Sequence, residues 1–447
     1  MKKRILLIGN DARGHAIAMA FMRSKHWVHL FAYMENLNPG IADLTVGYKL
    51  GKYDDIAAII AYAKNLEVDF AIISPEKPLS IGVVDALEAA GIPCPNPKQA
   101  PAQIETSKAF TRGLISEYAI GGNPDYVVFK TFDKKAMKEY MDAFDKVVIK
   151  PDGLTGGKGV MVQGDHFTTK EEALEICAEI LKNHKAVIIE EKLVGEEFTI
   201  QYLVDGKTIV ETPVVQDYKR RFDGDKGPNT GSMGSCSFAN HRLPFLTQRD
   251  INMARTITQK VVWATQDRTN EIYRGVLYGG FMLTRRGVKV IEYNARFGDP
   301  EALNVLSLLE TDFVDICLAI INDQLNKMKV SFQNKATVCK YLVPLAYARG
   351  LEKGHPDLVS NSAKIEAGDI GSAELYYSSV EEREDGIYTT SSRAIAVLGI
   401  DDDLIKAGQI AEAAAISISG PVDHRRDIGT EELMQQRFQH MKALLEE

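Results

Sequence analysis

The chain opens on an apolar run, Arg4 to Ile8, followed by the polar Gly9-Asn10-Asp11-Ala12-Arg13-Gly14 and an apolar helical stretch from His15 to Met22. A buried strand, a loop and a helix in that order begin a parallel α/β unit. The alternation continues through strand Val28 to Ala32, the Asn38-Pro39-Gly40 turn, helix Tyr53 to Asn65, strand Phe70 to Ser74 and helix Gly82 to Ala90. To about residue 100 the pattern therefore predicts a doubly wound parallel sheet. The Pro-rich stretch from Pro93 to Pro101 ends it.

Beyond that boundary the periods shorten and mix. Thr106-Ser107-Lys108 opens a helix with Lys108 near its start, and a β-branched strand ends at Lys150. Leu154-Thr155-Gly156-Gly157-Lys158-Gly159-Val160 follows. Two strands joined by such a loop can close over phosphates, because glycines let backbone amides approach closely. A tight hairpin with surface lysines is the alternative. Helix Thr169 to Asn183 leads to strand Ala186 to Glu190 and then Glu191-Lys192-Leu193. A hinge there could offer backbone groups to an adenine edge, with a nearby Glu for ribose hydroxyls. The Gly-, Pro- and Asn-rich run through Gly227 and Gly234 implies either an ordered backbone of special geometry or a mobile loop. Helix Arg249 to Thr265 precedes a strand, Arg274 to Thr284, that hairpins through Arg285-Arg286-Gly287. The remainder holds short strands (Ala336 to Val343, Ala373 to Ser378, Ile395 to Gly399), a helix from Asp401 to Ser417 and a last motif ending at Gly429.

The second arm of that hairpin carries the chemistry. Side chains alternate along a strand, so Glu292 and Asn294 point the same way and present two hard oxygens on one face. Such a pair suits magnesium or manganese and leaves coordination positions for phosphate oxygens. Arg296 continues on that face if the strand geometry persists, where its planar fork can clamp a phosphoryl group. The Gly298-Asp299-Pro300-Glu301 turn follows. Pro75-Glu76, after the carboxyl end of a strand, is either a ligand contact or an exposed loop acid. The first βα turn lacks the G-x-G-x-x-G spacing, which argues against NAD.

Composition narrows the class. A chain of 447 residues exceeds one core and implies two to four domains. The net charge of −8 speaks against a nucleic-acid surface. Five scattered cysteines with no Cys-x-x-Cys pair read as reduced thiols. The apolar run after Lys2-Lys3-Arg4 is too short for a signal peptide, and no later stretch could span a bilayer. The expectation is a cytoplasmic protein with no membrane or nucleic-acid partner, acting on small molecules as a monomer or small homo-oligomer.

Three segments together resemble the phosphoribosylamine–glycine ligase family of the ATP-grasp superfamily: Asp225-Lys226-Gly227-Pro228-Asn229-Thr230-Gly231-Ser232-Met233-Gly234, Glu292-Tyr293-Asn294-Ala295-Arg296-Phe297-Gly298-Asp299-Pro300-Glu301, and Arg425-Arg426-Asp427-Ile428-Gly429. The resemblance covers the whole length. It implies an α/β and α+β multidomain chain: an N-terminal domain over residues 1–103, an ATP-grasp region over 104–333 with a mobile lid over about 125–193, and a small α+β C-terminal domain over 334–447. It implies ligation of glycine to phosphoribosylamine through a glycyl phosphate, with ATP as co-substrate. By the resemblance, Lys108, Lys150, Gly156, Gly157, Lys158 and Gly159 meet phosphates; Glu190, Glu191 and Leu193 meet adenine; Glu197 meets ribose; and Glu292 with Asn294 holds Mg2+ or Mn2+. Asp217, Lys219, Asn229, Arg296 and Asp299 surround the acyl phosphate and the amine, with Arg296, Asp217 and Lys219 catalytic, and Thr230, Gly231, Pro300 and Glu301 bind substrate. Gly9, Arg13, His15, Asn38, Gly40 and Glu76 hold phosphoribosylamine. The chain departs from the family pattern at Gly14 (usually Glu), Gly280 (Gln in one branch), Tyr218 (His), Ser232 (Gly) and Leu345-Ala346 (Glu-Gly). Another ATP-grasp ligase, or a non-catalytic nucleotide-binding homologue, is the alternative.

Overall fold

Ile5 and Leu7 face one side of the first strand and Leu6 and Ile8 the other, and all four are fully buried. Only a sheet covered on both faces demands that pattern. In the computed structural model, which describes residues 2–156, 159–348 and 362–446, the first strand lies inside a four-stranded parallel sheet, as the sequence predicts. The strand order is Gly47–Leu50, Trp27–Met34, Lys2–Ile8, Phe70–Ile73. The order reverses beside Lys2–Ile8, so a crevice opens between the carboxyl ends of that strand and Phe70–Ile73. The first helix begins earlier than predicted, at Ala12, because Asp11 caps it by accepting from the Gly14 amide.

Two antiparallel four-stranded sheets follow. The first, the sheet expected to serve as the lid, runs Tyr126–Phe129, Val187–Glu191, Val147–Pro151, Met161–Val162, and packs helices Lys134–Asp142 and Lys170–Asn183 over its own small core. The central sheet runs Ile209–Glu211, Gly195–Val204, Gly275–Thr284, Gly287–Asn294, with helix Gln248–Thr269 against it. The stretch rich in Gly, Pro and Asn is ordered: Arg220–Phe222 and Lys226–Asn229 form a short antiparallel hairpin.

A six-stranded C-terminal sheet takes Gln216–Asp217 and Gly234–Ser237 from the middle of the chain and sets them beside Ala336–Pro344, Ile395–Asp401 and Glu374–Tyr377, with Val422–Asp423 also pairing to Ala336–Pro344. Past Gly429, where the sequence reading places no element, helix Glu431–Glu446 returns to the central sheet. Its Arg437 pairs with Glu196 at 2.9 Å and also with Asp225. Among the described residues no helix is long and apolar enough to cross a membrane.

Candidate active site

Glu292 stands opposite Gly280, and Asn294 opposite Tyr278, on neighbouring strands of the central sheet. Between Glu292 and Val290 the register slips, so Ile291 has no partner across the ladder: a β-bulge. Burial pushes the Glu292 carboxyl up, but Lys219, Lys108, Lys150 and Arg296 around it outweigh burial and hold it below its ordinary range. The Asn294 amide nitrogen is satisfied when turned to Glu105 Oε1 and the Tyr293 carbonyl, both at 3.2 Å, which turns its oxygen to the other side, toward donors. An ionised carboxylate and an amide oxygen on one face are the donor set a hard divalent cation takes.

The helix Lys108–Glu117 and the strand Val147–Pro151 carry Lys108 and Lys150, which the resemblance assigns to phosphates. Ser107 caps that helix, and Asp152 accepts from both Ser107 Oγ and the Ala109 amide. Lys108 Nζ donates to the Gly153 carbonyl at 2.9 Å, so the start of the helix is tied to the chain leaving Lys150. Gly156 has φ +57°, and a Cβ on Gly159 would come within 2.8 Å of Pro151. Gly157 and Lys158, also assigned to phosphates, lie outside the described residues.

Lys150 Nζ lies 2.7 Å from Glu190 Oε2, and both side chains are buried. Arg112 closes on the same carboxylate, Nε to Oε1 at 2.7 Å and Nη2 to Oε2 at 3.1 Å. Burial would raise the Glu190 carboxyl, yet these two cations bring it down to about 2. Glu191 accepts from the Asp125 amide and pairs with Arg286. Leu193 is half-buried between the lid and central sheets. Glu197 pairs with Lys219 at 2.7 Å.

Toward the N-terminal sheet an ion chain connects the residues assigned to the amine substrate. Arg13 Nη2 is 3.5 Å from Glu76, Arg296 Nε is 3.5 Å from the same carboxylate, and Arg296 Nη2 is 2.9 Å from Glu105. Arg296 thus joins the crevice to the Glu292–Asn294 face, since Glu105 also meets Asn294. Burial pushes Glu105 up to about 7. Gly9, at φ +153°, permits the turn, for a Cβ there would lie 2.7 Å from Ser74 Cβ. His15 Nδ1 accepts from the Tyr377 amide, its ring stacks on Tyr377 and packs against Gly40, and burial lowers it to about 4. Asn38 caps the helix Pro39–Leu44 and donates to the Asn10 and Tyr377 carbonyls. Both its amide hydrogens are therefore used within the protein.

A third group lines the cleft from the C-terminal side. Burial pushes Asp217 up to about 6 and Glu301, bonded to the Tyr278 hydroxyl, up to about 8. Asp217 Oδ1 is buried without a hydrogen-bond partner. Arg393 donates to the Gly231 and Asp299 carbonyls at 3.1 Å each and lies over the Tyr341 ring. Thr230 donates twice to the Lys219 carbonyl; Asn229 ladders to Arg220; Pro300, joined to Asp299 by a cis peptide, caps helix Glu301–Ser307. Glu105, Arg112 and Arg393 escaped the sequence reading. Their partners lie far off in sequence, 190 residues for Glu105 to Ala295 and 78 for Arg112 to Glu190, so no local spacing marks them.

Two antiparallel sheets facing one another, next to a parallel N-terminal sheet, are the architecture of an ATP-grasp enzyme. Residues 3–105 match the phosphoribosylglycinamide synthetase N domain and 106–302 its ATP-grasp (A) domain. The phosphoribosylamine–glycine ligase of Methanosarcina barkeri is 46% identical over 441 residues, 99% of each chain. The solved ligase of the same name from Thermotoga maritima is 26% identical with a TM-score of 0.76, covering 95% of this chain and 99% of its own. At 14% identity the biotin carboxylase domain of Hydrogenobacter thermophilus 2-oxoglutarate carboxylase, solved with MgADP, shares the fold, with a TM-score of 0.69 and coverage of 98% and 94%. The chain belongs to the phosphoribosylamine–glycine ligase family.

Proposed function

We propose that this enzyme joins glycine to 5-phosphoribosylamine in purine biosynthesis, converting ATP to ADP and phosphate by way of a glycyl phosphate. Full-length identity to ligases of that name supports the overall reaction. The observation that carries the site reading is the gathering of Lys108, Lys150, Lys219 and Arg296 around an ionised Glu292. A carboxylate resists attack by an amine because its charge repels nucleophiles and oxide leaves poorly; phosphorylation removes both obstacles. Lys150 and Lys108 draw charge from the nucleotide phosphates as the glycine carboxylate takes the terminal phosphoryl group. A Mg2+ or Mn2+ ion held by Glu292 and Asn294 supplies further charge neutralisation there. Arg296 stabilises the transferred group while the amine attacks the acyl carbon. Asp217 Oδ1, buried and unpartnered, suits an ammonium or amine.

The same reading divides the chain at about residues 103 and 333, with the lid sheet as the part that closes over ATP and the N-terminal crevice as the seat of phosphoribosylamine. The test is a coupled assay for ADP with freshly made phosphoribosylamine, run with glycine labelled by oxygen-18 in its carboxylate. ADP release needing both substrates, with one labelled oxygen in the phosphate, is the expected result. Unlabelled phosphate with normal product would overturn the acyl-phosphate route, and ADP release with another acid would reassign the substrate.

A further inference from the structure

Arg112 is buried to 2% exposure at the floor of the cleft, one turn after Lys108 on the same helix face, and it touches both sheets. One edge of its guanidinium forks onto Glu190 of the lid sheet, whose other oxygen contact is Lys150. Its Nη1 donates to the Val290 carbonyl at 3.0 Å and its Nη2 to the Ile291 carbonyl at 2.7 Å, the two residues of the bulge that precedes Glu292. A further contact, Nη1 to Asn123 Oδ1 at 3.3 Å, closes the cage.

A bulge decides which way the following residues face, since one residue of slip turns a strand over. Ile291 lacks a ladder partner, so its carbonyl is satisfied by Arg112 rather than by the neighbouring strand. We propose that Arg112 is a positioning residue for the metal: it fixes the Ile291 bulge so that Glu292 and Asn294 face the nucleotide phosphates, and through Glu190 it sets Lys150 to the same point from the opposite sheet. A single planar cation thereby aligns the two halves of the phosphate site. Lysine in its place would keep the charge but cannot make a fork and two carbonyl bonds at once. The inference rests on Glu292 and Asn294 being the metal pair.

Two variants separate the arms of this arrangement, with ADP and MgCl2 as probes in calorimetry. In the parent, Mg2+ tightens ADP binding; absence of that tightening would remove the metal reading itself, independently of Arg112. In Arg112→Lys the tightening by Mg2+ falls at least tenfold, and ADP alone weakens no further than in Glu190→Gln, since the lysine loosens the same Glu190 anchor of Lys150. Glu190→Gln, which keeps the bulge contacts, weakens ADP with and without Mg2+ alike and leaves the ratio unchanged. Rates follow the same split, with the Mg2+ concentration for half-maximal activity raised only in Arg112→Lys. If Arg112→Lys lowers the melting temperature but keeps the parent's Mg2+ effect on ADP, the residue is merely structural and the proposal fails. Should Arg112→Lys not fold, the double variant Arg112→Gln with Glu190→Gln removes both buried charges; a parental Mg2+ effect in it overturns the proposal, and a tenfold loss upholds it.

Discussion

Glu292 is ionised because four cations, Lys219, Lys108, Lys150 and Arg296, outweigh its burial. Replacing it with glutamine keeps the shape and removes the charge, so Glu292→Gln is expected to fold with an unchanged circular dichroism spectrum. Its turnover should fall by about a hundredfold or more, since metal-centred charge stabilisation is worth several kcal/mol. Loss of folding, or parental turnover, would count against its assignment to the metal. His15 gives a pH test. Its folded pKa of about 4 lies below the unfolded value near 6.5, so the unfolded chain binds the extra proton, and stability is lost as pH falls from 6.5 toward 4. Asparagine at this position can still accept from the Tyr377 amide without titrating. Urea denaturation should show the parent losing about 2 kcal/mol more than His15→Asn between pH 7 and pH 5. Two departures from the family pattern also have local reasons. Gly14 is tightly packed: a Cβ would lie 3.2 Å from Asp11 Oδ1 and 3.4 Å from Ile41, so a glutamate there would require those side chains to shift. Ser232 has φ +128°, where glycine is at ease, and its hydroxyl offsets the strain by bonding to both the amide and the carbonyl of Gly234.

The hairpin of Gly275–Thr284 and Gly287–Asn294 is the element on which the site depends. Its alternation was legible, because Glu292 and Asn294 interrupt a β-branched run two residues apart. The bulge was not, since a slip at Ile291 is decided by carbonyls that reach Arg112 on another helix. The same limit hid Glu105 and Arg393, whereas the strand–loop–helix order of the first 100 residues was readable because its contacts follow the period of each element. Pairing opposite Glu292 makes Gly280 the place to add a ligand. A Cβ there would meet Tyr278 at 3.4 Å and Glu292 Cγ at 3.5 Å, ordinary contact, and the backbone is not left-handed. Gly280→Gln should therefore fold and tighten divalent metal, lowering the Mg2+ concentration for half-maximal activity severalfold. Insolubility of that variant would mean that the strand needs glycine for close backbone approach.

At the scale of the molecule the C-terminal helix acts as a strap across the central sheet. Glu196 is 2% exposed and depends on Arg437 and His440 for partners. Arg437→Met should cost about 2 kcal/mol in urea denaturation, less than a fully buried pair because Arg437 is partly solvated, with the Michaelis constants unchanged. An unchanged denaturation midpoint would show that His440 alone suffices. The six-stranded sheet has a different consequence, one that concerns how the protein is made. Gly234–Ser237 pairs with Ala336–Pro344, about a hundred residues later, and that strand pairs in turn with Ile395–Asp401. On the ribosome the earlier strand emerges with a bare edge and waits for about a hundred further residues, while the N-terminal sheet has all its strands within the first 73 residues. Synthesis halted near residue 330 would release a finished nucleotide-cleft hairpin beside an open strand, a species prone to pair with its neighbours rather than to wait.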